Sequence, residues 1–396
     1  MKFRLVHTRK PSGFGKESRV MLKRSIVLAC ILIPALPATM PAQTFLKDAF
    51  KNYFRIGAAL NPGHFTGTDA AGSALVKQHF NAITPENDMK WERIHPRPDA
   101  GLAGYNFENS DKYVEFGEKN GMFIIGHCLV WHSQVPRWVF EDAEGKPLDQ
   151  AALLQRMREH IFTIVGRYKG RVNGWDVVNE ALNEDGTLRK SPWLNIIGED
   201  YIARAFEYAY EADPKAELYY NDYNLEYEAK RNGAVDLVKK LQHQGIKITA
   251  IGMQSHDKMD RPTVQQIEDS LNAFKALGVK VVVTELDVDV LPPVTRQPTA
   301  DISARAQATP EANPYVAGLP DEMQKALAKR YADIFAVFLK YKDLIKRVTF
   351  WGVTDRYSWL NNFPAAGRTN YPLLFDREGK PKPAFDAVIQ KAKAAQ

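Results

Sequence analysis

The sequence has only two cysteines, no apolar run of membrane-spanning length, and little excess charge outside its first 42 residues. Two cysteines among 396 residues exclude a disulfide-rich scaffold and a cysteine-rich zinc array. With 45% hydrophobic, 25% charged and 11% aromatic residues, the composition lies close to the globular average. This balance excludes a disordered tail protein, a fibre and a coiled coil.

The formal net charge of +6 belongs to the start of the chain. Residues 1–42 contain eight lysines and arginines but a single acidic residue, Glu17, which gives this segment a net charge of +7. Residues 43–396 therefore carry 45 basic and 46 acidic side chains, a net charge of −1. Because residues 43–396 have no excess of basic side chains to bind a phosphate backbone, the sequence predicts no nucleic-acid partner.

Residues 1–42 have the pattern of a secretory signal rather than of a folded segment. Met21 begins a short basic stretch, residues 26–36 form an apolar run, and small residues follow. The run is shorter than the ~20 residues that a transmembrane helix needs. We therefore predict cleavage after Ala38 or Ala42 and export of the mature chain, secreted or periplasmic, without a membrane-spanning segment.

Two details of this leader stay open. The polar stretch before Met21 is unusually long, so translation starts either at Met1 or at Met21. Lipidation at Cys30 is a less favoured alternative, because only a few apolar residues precede that cysteine and the run continues beyond it. Cys128 is the only cysteine of residues 43–396, which excludes an internal disulfide there.

Strand-like apolar runs alternate with amphipathic, helix-like segments along residues 43–396. The strand-like runs are 55–60, 82–86, 122–127, 174–180, 217–221, 250–254, 280–285 and 348–352. The clearest helix-like segments are 148–168, 201–212, 229–244, 264–277 and 323–341. Such alternation indicates an α/β fold with parallel strands, and eight units are the number that closes a (β/α)8 TIM barrel. We predict one barrel domain over residues 43–396; an open doubly wound sheet is the alternative, but no glycine-rich dinucleotide fingerprint supports it.

Seven of the predicted strands have a polar or aromatic residue at or near their carboxyl end. These residues are Glu86, His127, Glu180, Asn221, Gln254, Glu285 and Trp351. A buried parallel strand is expected to be apolar throughout, so polar residues repeated at one end need a reason. In a barrel these ends meet on the face where active sites form, and the sequence therefore predicts a site there.

Two of these residues are glutamates that follow strongly apolar strands. Glu180 follows the fourth strand and Glu285 the seventh, which lie on opposite sides of an eight-stranded barrel mouth. Glycoside hydrolysis needs two carboxyl groups flanking one bond, one of them protonated and the other ionised. Glu184 and Glu199 are local alternatives to Glu180, although they lie in loop sequence without a strand to orient them.

A series of motifs resembles glycoside hydrolase family 10, whose members are mostly endo-1,4-β-xylanases. The match extends over about residues 45–392, and the motifs occur in the family's order. They are ENDMKW at 86–91, HCLVWH at 127–132, DVVNE at 176–180, YNDYN at 220–224, GMQSH at 252–256, TELD at 284–287, WGVTD at 351–355, Trp359, and LLFD at 373–376.

The resemblance implies an endo-1,4-β-xylanase that works with retention of configuration by double displacement. In this sequence Glu180 matches the family's acid/base and Glu285 its nucleophile. Three further residues match groups that support catalysis: Asn179, His256 and Asp287. The retaining mechanism requires the two carboxyl groups to lie roughly 5–5.5 Å apart.

The resemblance also implies the ligand and the residues that bind it. The expected ligands are xylan and xylo-oligosaccharides, and the reaction needs no metal and no cofactor; no protein partner is implied. The expected substrate-binding residues are Glu86, Asn87, Lys90, His127, Trp131, Asn221, Tyr223, Gln254, Trp351 and Trp359. For the two last tryptophans the alternative to a sugar platform is core packing.

The sequence departs from the family pattern at two places. Cys128 stands where such enzymes often have threonine, and we expect little consequence from a small buried side chain. Residues 288–319 form a long loop rich in proline, alanine and threonine directly after the seventh strand, and long loops on the catalytic face are often functional. We expect this loop to reshape the leaving-group subsites.

Two other functions compete with the xylanase interpretation. One is a related barrel glycosidase that acts on β-1,4-glucan or on short aryl glycosides. The other is a sugar-binding barrel that retains the cleft without the reaction. The second is disfavoured because both Glu180 and Glu285 are present.

Overall fold

The computed structural model describes residues 15–17, 44–98, 101–294, 300–307 and 309–396. The chain divides into two units, residues 1–43 and 44–396. Apart from residues 15–17, the predicted signal, with Met21, Cys30 and the cleavage sites at Ala38 and Ala42, lies outside the described residues.

Parallel strands form the centre of the second unit. The strands are β1 (Arg55–Leu60), β2 (Ala82–Pro85), β3 (Phe123–Trp131), β4 (Gly174–Asn179), β5 (Glu217–Asp222), β6 (Ala250–Met253), β7 (His256–Lys258), β8 (Lys280–Asp289) and β9 (Ile345–Phe350). Each pairs with its neighbour in the order β6-β5-β4-β3-β2-β1-β9-β8, and pairing of β6 with β8 closes the ring. The predicted (β/α)8 TIM barrel is therefore confirmed.

Helices surround the barrel. They are α1 (Leu46–Ala49), α2 (Pro62–Thr66), α3 (Ala70–His79), α4 (Trp91–Ile94), α5 (Glu108–Lys119), α6 (Gln150–Arg167), α7 (Pro192–Ile197), α8 (Tyr201–Ala212), α9 (Glu228–His243), α10 (Val264–Ala276), α11 (Asp321–Lys340) and α12 (Pro383–Ala394). The five helical segments named from the sequence correspond to α6 and α8 to α11, within two residues at each end. In the part of the chain that the structure describes, no helix is both long and apolar enough to cross a bilayer.

Local sequence explains where the main helices begin. The Asp149 carboxylate accepts the Ala152 backbone N–H at 2.8 Å and so satisfies one of the free donors at the start of α6. At the start of α10, Thr263 and Gln266 form a reciprocal capping box. These caps fix the residue at which each helix begins.

Three strands differ from their predicted bounds by more than one residue. β3 continues past His127 to Trp131, because residues 128–131 are also apolar and buried. β8 continues past Glu285 to Asp289, where it pairs with the short strand β7 through His256 and Asp287. β9 begins three residues earlier than predicted, at Ile345, and ends two residues earlier, at Phe350.

The barrel interior is filled by large side chains that pack against glycines. Trp175 of β4 and Tyr219 of β5 are fully buried. A Cβ atom on Gly126 would lie 2.0 Å from Trp175 Cε3, and one on Gly174 would lie 2.5 Å from the Tyr219 hydroxyl oxygen. Because no real Cβ approaches so closely, these two glycines provide the space that the rings occupy.

Gly126→Ala should destabilise the barrel, because Trp175 is held in a packed interior and cannot move aside. We expect the free energy of unfolding to fall by about 1–3 kcal/mol, measured from the urea midpoint by tryptophan fluorescence. The matched control is Gly166→Ala near the end of α6, where an added Cβ meets no atom within 4 Å. That variant should be more stable than the parent by about 0.5–1 kcal/mol. Equal midpoints for the two variants would contradict this account of the core.

Candidate active site

A cleft of about 360 Å³ opens at the carboxyl ends of the barrel strands. It is lined by most of the residues that the sequence predicts for the site: Glu86, Asn87, Lys90, His127, Trp131, Asn179, Glu180, Gln254, His256, Glu285, Trp351 and Trp359. They come from β3, β4, β7 and β8, from the first residues after β2, β4, β6 and β9, and, for Trp359, from the loop that follows β9. The closed barrel thus brings side chains that lie far apart in sequence to one cavity.

Glu180 follows the last residue of β4 and has a left-handed backbone conformation, with φ of 56°. Its buried carboxyl accepts the Trp131 indole N–H at 2.9 Å and the Gln254 amide N–H at 3.0 Å. The Asn179 amide donates a longer bond of 3.2 Å. The carboxyl is therefore fixed by neutral donors, with no cation among these hydrogen-bond partners.

Burial raises the pKa of Glu180 to about 7, and the negative charges of Asp222 and Glu285 act in the same direction. The hydrogen bonds from Gln254 and Trp131 oppose the shift without cancelling it. At or below neutral pH a large fraction of Glu180 therefore carries a proton. Such a group can donate that proton to a leaving oxygen.

Glu285 lies within β8 and has a different set of partners. One carboxylate oxygen accepts the Asn221 amide N–H at 2.8 Å, and the other lies 3.2 Å from His256 Nε2. Burial alone would raise the pKa of Glu285, but His256 and Asn221 lower it below its ordinary value. Glu285 is therefore ionised at neutral pH.

His256 owes its charge to two carboxylates. Its Nδ1 lies 3.0 Å from Asp287 Oδ1, while its Nε2 faces Glu285. Burial favours the neutral ring, yet Asp287 and Glu285 together raise the pKa of His256 to about 10. The ring is therefore an imidazolium that donates both N–H groups.

Amide side chains connect the two glutamates. Asn221 donates to Glu285 and also to Asn179 Oδ1, at 2.9 Å, while its own Oδ1 accepts the Thr284 hydroxyl at 2.6 Å. Asn179 in turn contacts Glu180. The two carboxyls thus face one cavity and belong to one hydrogen-bond network, although their protonation states differ.

A polar wall lies beside the glutamates. The Lys90 ammonium donates to Asn87 Oδ1 at 3.0 Å and to Gln134 Oε1 at 2.9 Å. It also lies 5.0 Å from the centre of the Trp131 ring. These contacts hold the ammonium in one position, where it can donate to a ligand hydroxyl.

Trp351, Trp359 and His127 form one aromatic side of the cleft. Trp351 meets His127 edge to face, with ring centres 5.4 Å apart, and His127 Nδ1 lies 2.8 Å from Asp176 Oδ2. Trp359 donates its indole N–H to Asp287 at 2.7 Å and stacks on Phe363 with ring centres 4.4 Å apart. Both indoles line the cavity and are also fixed by neighbouring side chains, Trp351 by His127 and Trp359 by Asp287 and Phe363.

Three predicted site residues do not line the cleft. Asn221 is fully buried beneath it, and Asp287 lies behind His256. The Tyr223 hydroxyl accepts a hydrogen bond from Arg189 at 2.9 Å, and the Lys230 ammonium lies 3.4 Å from the centre of its ring. The structure therefore places these residues in support of the cleft surface.

The local alternatives to Glu180 lie elsewhere. Glu184 is exposed and accepts a hydrogen bond from Asn224 at 3.0 Å. Glu199 is exposed and pairs with Lys240 at 2.7 Å. Of the three candidates, only Glu180 lines the cleft together with Glu285.

Sequence reasoning missed several residues of the site. Gln134, Asn362 and Phe363 line the cleft from loops, and the 288–319 loop contributes Ala300, Ile302 and Arg305. Loop residues carry no periodic pattern, so only the long loop itself gave a signal. Buried Asp176 and Asp222 had a detectable signal, since each is an acidic residue inside or ending an apolar strand.

Over the ranges that the structure describes, no group of three or more His, Cys, Asp or Glu side chains is placed to hold a metal ion.

Comparisons with known proteins agree with this geometry. A sequence model of glycosyl hydrolase family 10 matches residues 45–391. Endo-1,4-beta-xylanase A of Xylanibacter ruminicola is 45% identical over 93% of this chain and 99% of its own length. Beta-1,4-xylanase of Dictyoglomus thermophilum is 43% identical over 87% and 90%. A solved GH10 endoxylanase from a sugarcane soil metagenome is 51% identical, with a TM-score of 0.84 over 87% of this chain and 99% of that one.

The proximity of the two carboxyls predicts that their titrations are coupled. Glu285→Gln should lower the pKa of Glu180 from about 7, because a negative charge that opposes its ionisation is removed. Only part of the shift should disappear, since burial and Asp222 remain. Carbon-13 NMR titration of the glutamate carboxyls would measure the change. Glu199→Gln on the exposed surface is the control and should leave Glu180 unchanged; an unaltered Glu180 pKa in Glu285→Gln would contradict the coupling.

Proposed function

The chain belongs to glycosyl hydrolase family 10, and we propose that it cleaves internal β-1,4 bonds of xylan as a retaining endo-1,4-β-xylanase. The observation that carries the assignment of roles is the pair of carboxyls in one cleft with opposite pKa shifts. The pKa of Glu180 is raised to about 7, while that of Glu285 is lowered. Glu180 is the acid/base and Glu285 the nucleophile.

In the first step Glu285 attacks the anomeric carbon of the bound sugar. The bond to the leaving sugar breaks as Glu180 transfers its proton to the departing oxygen, and a covalent glycosyl–enzyme forms. His256 and Asn221 hold the attacking carboxylate ionised and correctly oriented. Asp287 supports the step indirectly by keeping His256 charged.

In the second step Glu180 acts as a base. Glycosylation of Glu285 removes its negative charge, which lowers the pKa of Glu180. Glu180 then takes a proton from a water molecule that attacks the anomeric carbon and releases Glu285. Two inversions at the same carbon restore its original configuration.

The remaining cleft residues bind the sugar chain. Asn179 is placed to contact the sugar 2-hydroxyl beside the cleaved bond, with Gln254 next to it. Glu86, Asn87 and Lys90 bind the non-reducing side, against the wall formed by His127 and Trp131. Trp351 and Trp359 present aromatic faces to the C–H faces of the sugar rings. Asn221 and Tyr223 act from below the surface, through Glu285 and Arg189 respectively.

We further propose that residues 1–42 direct export and that the mature enzyme is secreted or periplasmic. The support is the change of charge at residue 42, from +7 before it to −1 after it, together with the apolar run at 26–36. Xylan is a polymer too large to enter a cell intact, so an exported enzyme reaches it directly. Residues 43–396 then form the catalytic domain.

Substitution of the two glutamates should separate their roles. Glu285→Ala removes the nucleophile, so kcat should fall by about 10⁴-fold or more for every substrate. Glu180→Ala should lower xylan hydrolysis by about 10²–10⁴-fold, because nothing protonates the poor leaving group. Dinitrophenyl xylobioside, whose phenolate leaves unaided, should still glycosylate the Glu180→Ala enzyme and give a burst with a low apparent KM. Burst amplitude and steady-state rate on the two substrates measure this difference.

Azide provides the complementary test. It should restore turnover of Glu180→Ala and give a β-glycosyl azide, whereas Glu285→Ala should give an α-azide. Glu184→Ala is the control and should keep nearly the parent activity, because Glu184 is exposed and outside the cleft. Equal loss on both substrates in Glu180→Ala, without azide rescue, would show that Glu180 is not the acid/base.

The pH profile of kcat/KM should be bell-shaped. Activity requires Glu180 protonated, so it should fall as the pH rises through about 7. It also requires Glu285 ionised, so it should fall at acid pH, with a midpoint below the ordinary glutamate pKa of 4.5. His256→Asn should shift this acid limb to higher pH, because the cation that lowers the Glu285 pKa is lost; His243→Asn, on the surface helix α9, should not. An unshifted acid limb in His256→Asn would contradict the proposed role of the imidazolium.

A further inference from the structure

The loop that follows the nucleophile strand contributes a wall to the cleft. Ala300, Ile302 and Arg305 line the cavity from residues 300–307 of this loop. Asp301 anchors the segment, because its carboxylate accepts a hydrogen bond from Arg189 Nη1 at 2.7 Å. Arg189 also donates to the Glu180 carbonyl oxygen at 3.1 Å, which ties the loop to the backbone of the acid/base.

The other end of the segment is attached to the loop that carries the aromatic wall. The Ala306 N–H donates to the Pro364 carbonyl oxygen at 3.0 Å. Arg305 Nη1 donates to the Asn362 carbonyl oxygen at 3.0 Å, and its guanidinium carbon lies 5.8 Å from the centre of the Phe363 ring. The Arg305 guanidinium is thus held at the cleft surface while the residue remains exposed.

Arg305 has a cationic group that the protein itself does not neutralise. Among the residues described by the structure, no carboxylate forms an ion pair with its guanidinium, whereas Arg189 nearby pairs with Asp301. The single bond to Asn362 leaves most of its five N–H donors available. The two other cations of the cleft are already held, Lys90 by Asn87 and Gln134 and the His256 imidazolium by Asp287 and Glu285.

The ligand of the proposed reaction gives this charge a role. A plain xylan chain is neutral and can be bound by amides, hydroxyls and aromatic faces. A xylan chain with an acidic branch would meet the carboxyl groups of Glu86, Glu180 and Glu285, which repel a carboxylate when ionised. A guanidinium at the edge of the same cleft offsets this repulsion, and its planar fork matches a carboxylate.

We propose that Arg305 forms a subsite for a uronic acid branch on the xylan chain, a proposal that rests on the proposed function. The branch carboxylate accepts N–H groups of the guanidinium at the side of the cleft formed by Trp359, Asn362 and Phe363. Arg305 therefore determines preference among decorated xylans and takes no part in bond cleavage. The main-chain sugars remain bound by the residues described above.

A pair of matched polymers tests this subsite. One is glucuronoxylan, and the other is the same glucuronoxylan after chemical reduction of its carboxyl groups, which keeps every branch and removes the charge. Arg305→Ala should lower kcat/KM on glucuronoxylan by about three- to fivefold at low salt, the range of one exposed ion pair. On the reduced polymer the same variant should equal the parent enzyme. Raising NaCl to about 0.5 M should diminish the difference between the polymers, because salt screens the pair.

Two further variants make the result specific. Arg305→Lys keeps the charge without the fork and should retain part of the preference for glucuronoxylan. Arg204→Ala removes a surface arginine of α8 that pairs with Glu207, and it should change neither polymer. Equal loss on both polymers in Arg305→Ala would mean that Arg305 contacts the neutral main chain, and no loss on either would mean that no subsite exists. Both outcomes would overturn the proposal.

Failure of the proposed function would give a different result. In that case the parent enzyme would not cleave neutral, linear xylohexaose, whatever residue stands at position 305. Calorimetric binding of a xylo-oligosaccharide with one glucuronic acid branch, compared with its unbranched counterpart, then still tests the subsite. Arg305→Ala should weaken binding of the branched oligosaccharide alone; equal affinities in the parent and Arg305→Ala proteins would overturn the subsite.

Discussion

Two carboxyl groups share one buried cavity, and burial raises the pKa of both of them. A nucleophile and an acid cannot be made from two groups in the same state, so the cavity must treat them differently. Glu180 receives only neutral donors, from an indole and two amides. Glu285 receives an amide and the His256 imidazolium, which Asp287 keeps charged. The His256 imidazolium, held between Asp287 and Glu285, therefore establishes the difference between the two glutamates on which the chemistry depends.

The barrel makes this arrangement rigid. The Glu180 N–H donates to the Asn221 carbonyl oxygen at 2.9 Å, and the Glu285 N–H donates to the Gln254 carbonyl oxygen at 3.0 Å. The backbones of both glutamates are thus joined to neighbouring strands, whose register is set by the closed sheet. Because β8 continues past Glu285 and pairs with β7, Asp287 and His256 stay opposite each other. The extension of β8 beyond Glu285 therefore fixes the position of Asp287, the carboxylate that keeps His256 charged.

The sequence was sufficient to predict the barrel, the cleft and its glutamates, because apolar runs that end in polar residues leave a clear pattern. β7 was not predicted, since its three residues, His256 to Lys258, are all polar and have no hydropathy signal. The neutral donors around Glu180 could be named but not placed, because contacts such as Gln254 to Glu180 join residues 74 positions apart. Gln134 was missed entirely, as it lies in a loop without a periodic pattern and contacts Lys90 and Asn87 only in the folded chain. What remained hidden was the set of contacts between elements, which only the closed barrel creates.

Bond cleavage and the preference among decorated xylans therefore depend on different parts of this molecule. Glu180, Glu285 and the groups that set their pKa values belong to strands or to the first residues after them, where a shift would disturb the whole sheet. Arg305 belongs to a loop attached through Asp301 and Ala306, outside the pairing of the barrel. A change at Arg305, which contacts neither glutamate, can alter which decorated chain is held without moving either carboxyl. The same separation explains why the reaction could be inferred from sequence motifs, whereas the charge at the edge of the cleft became visible only in the folded chain.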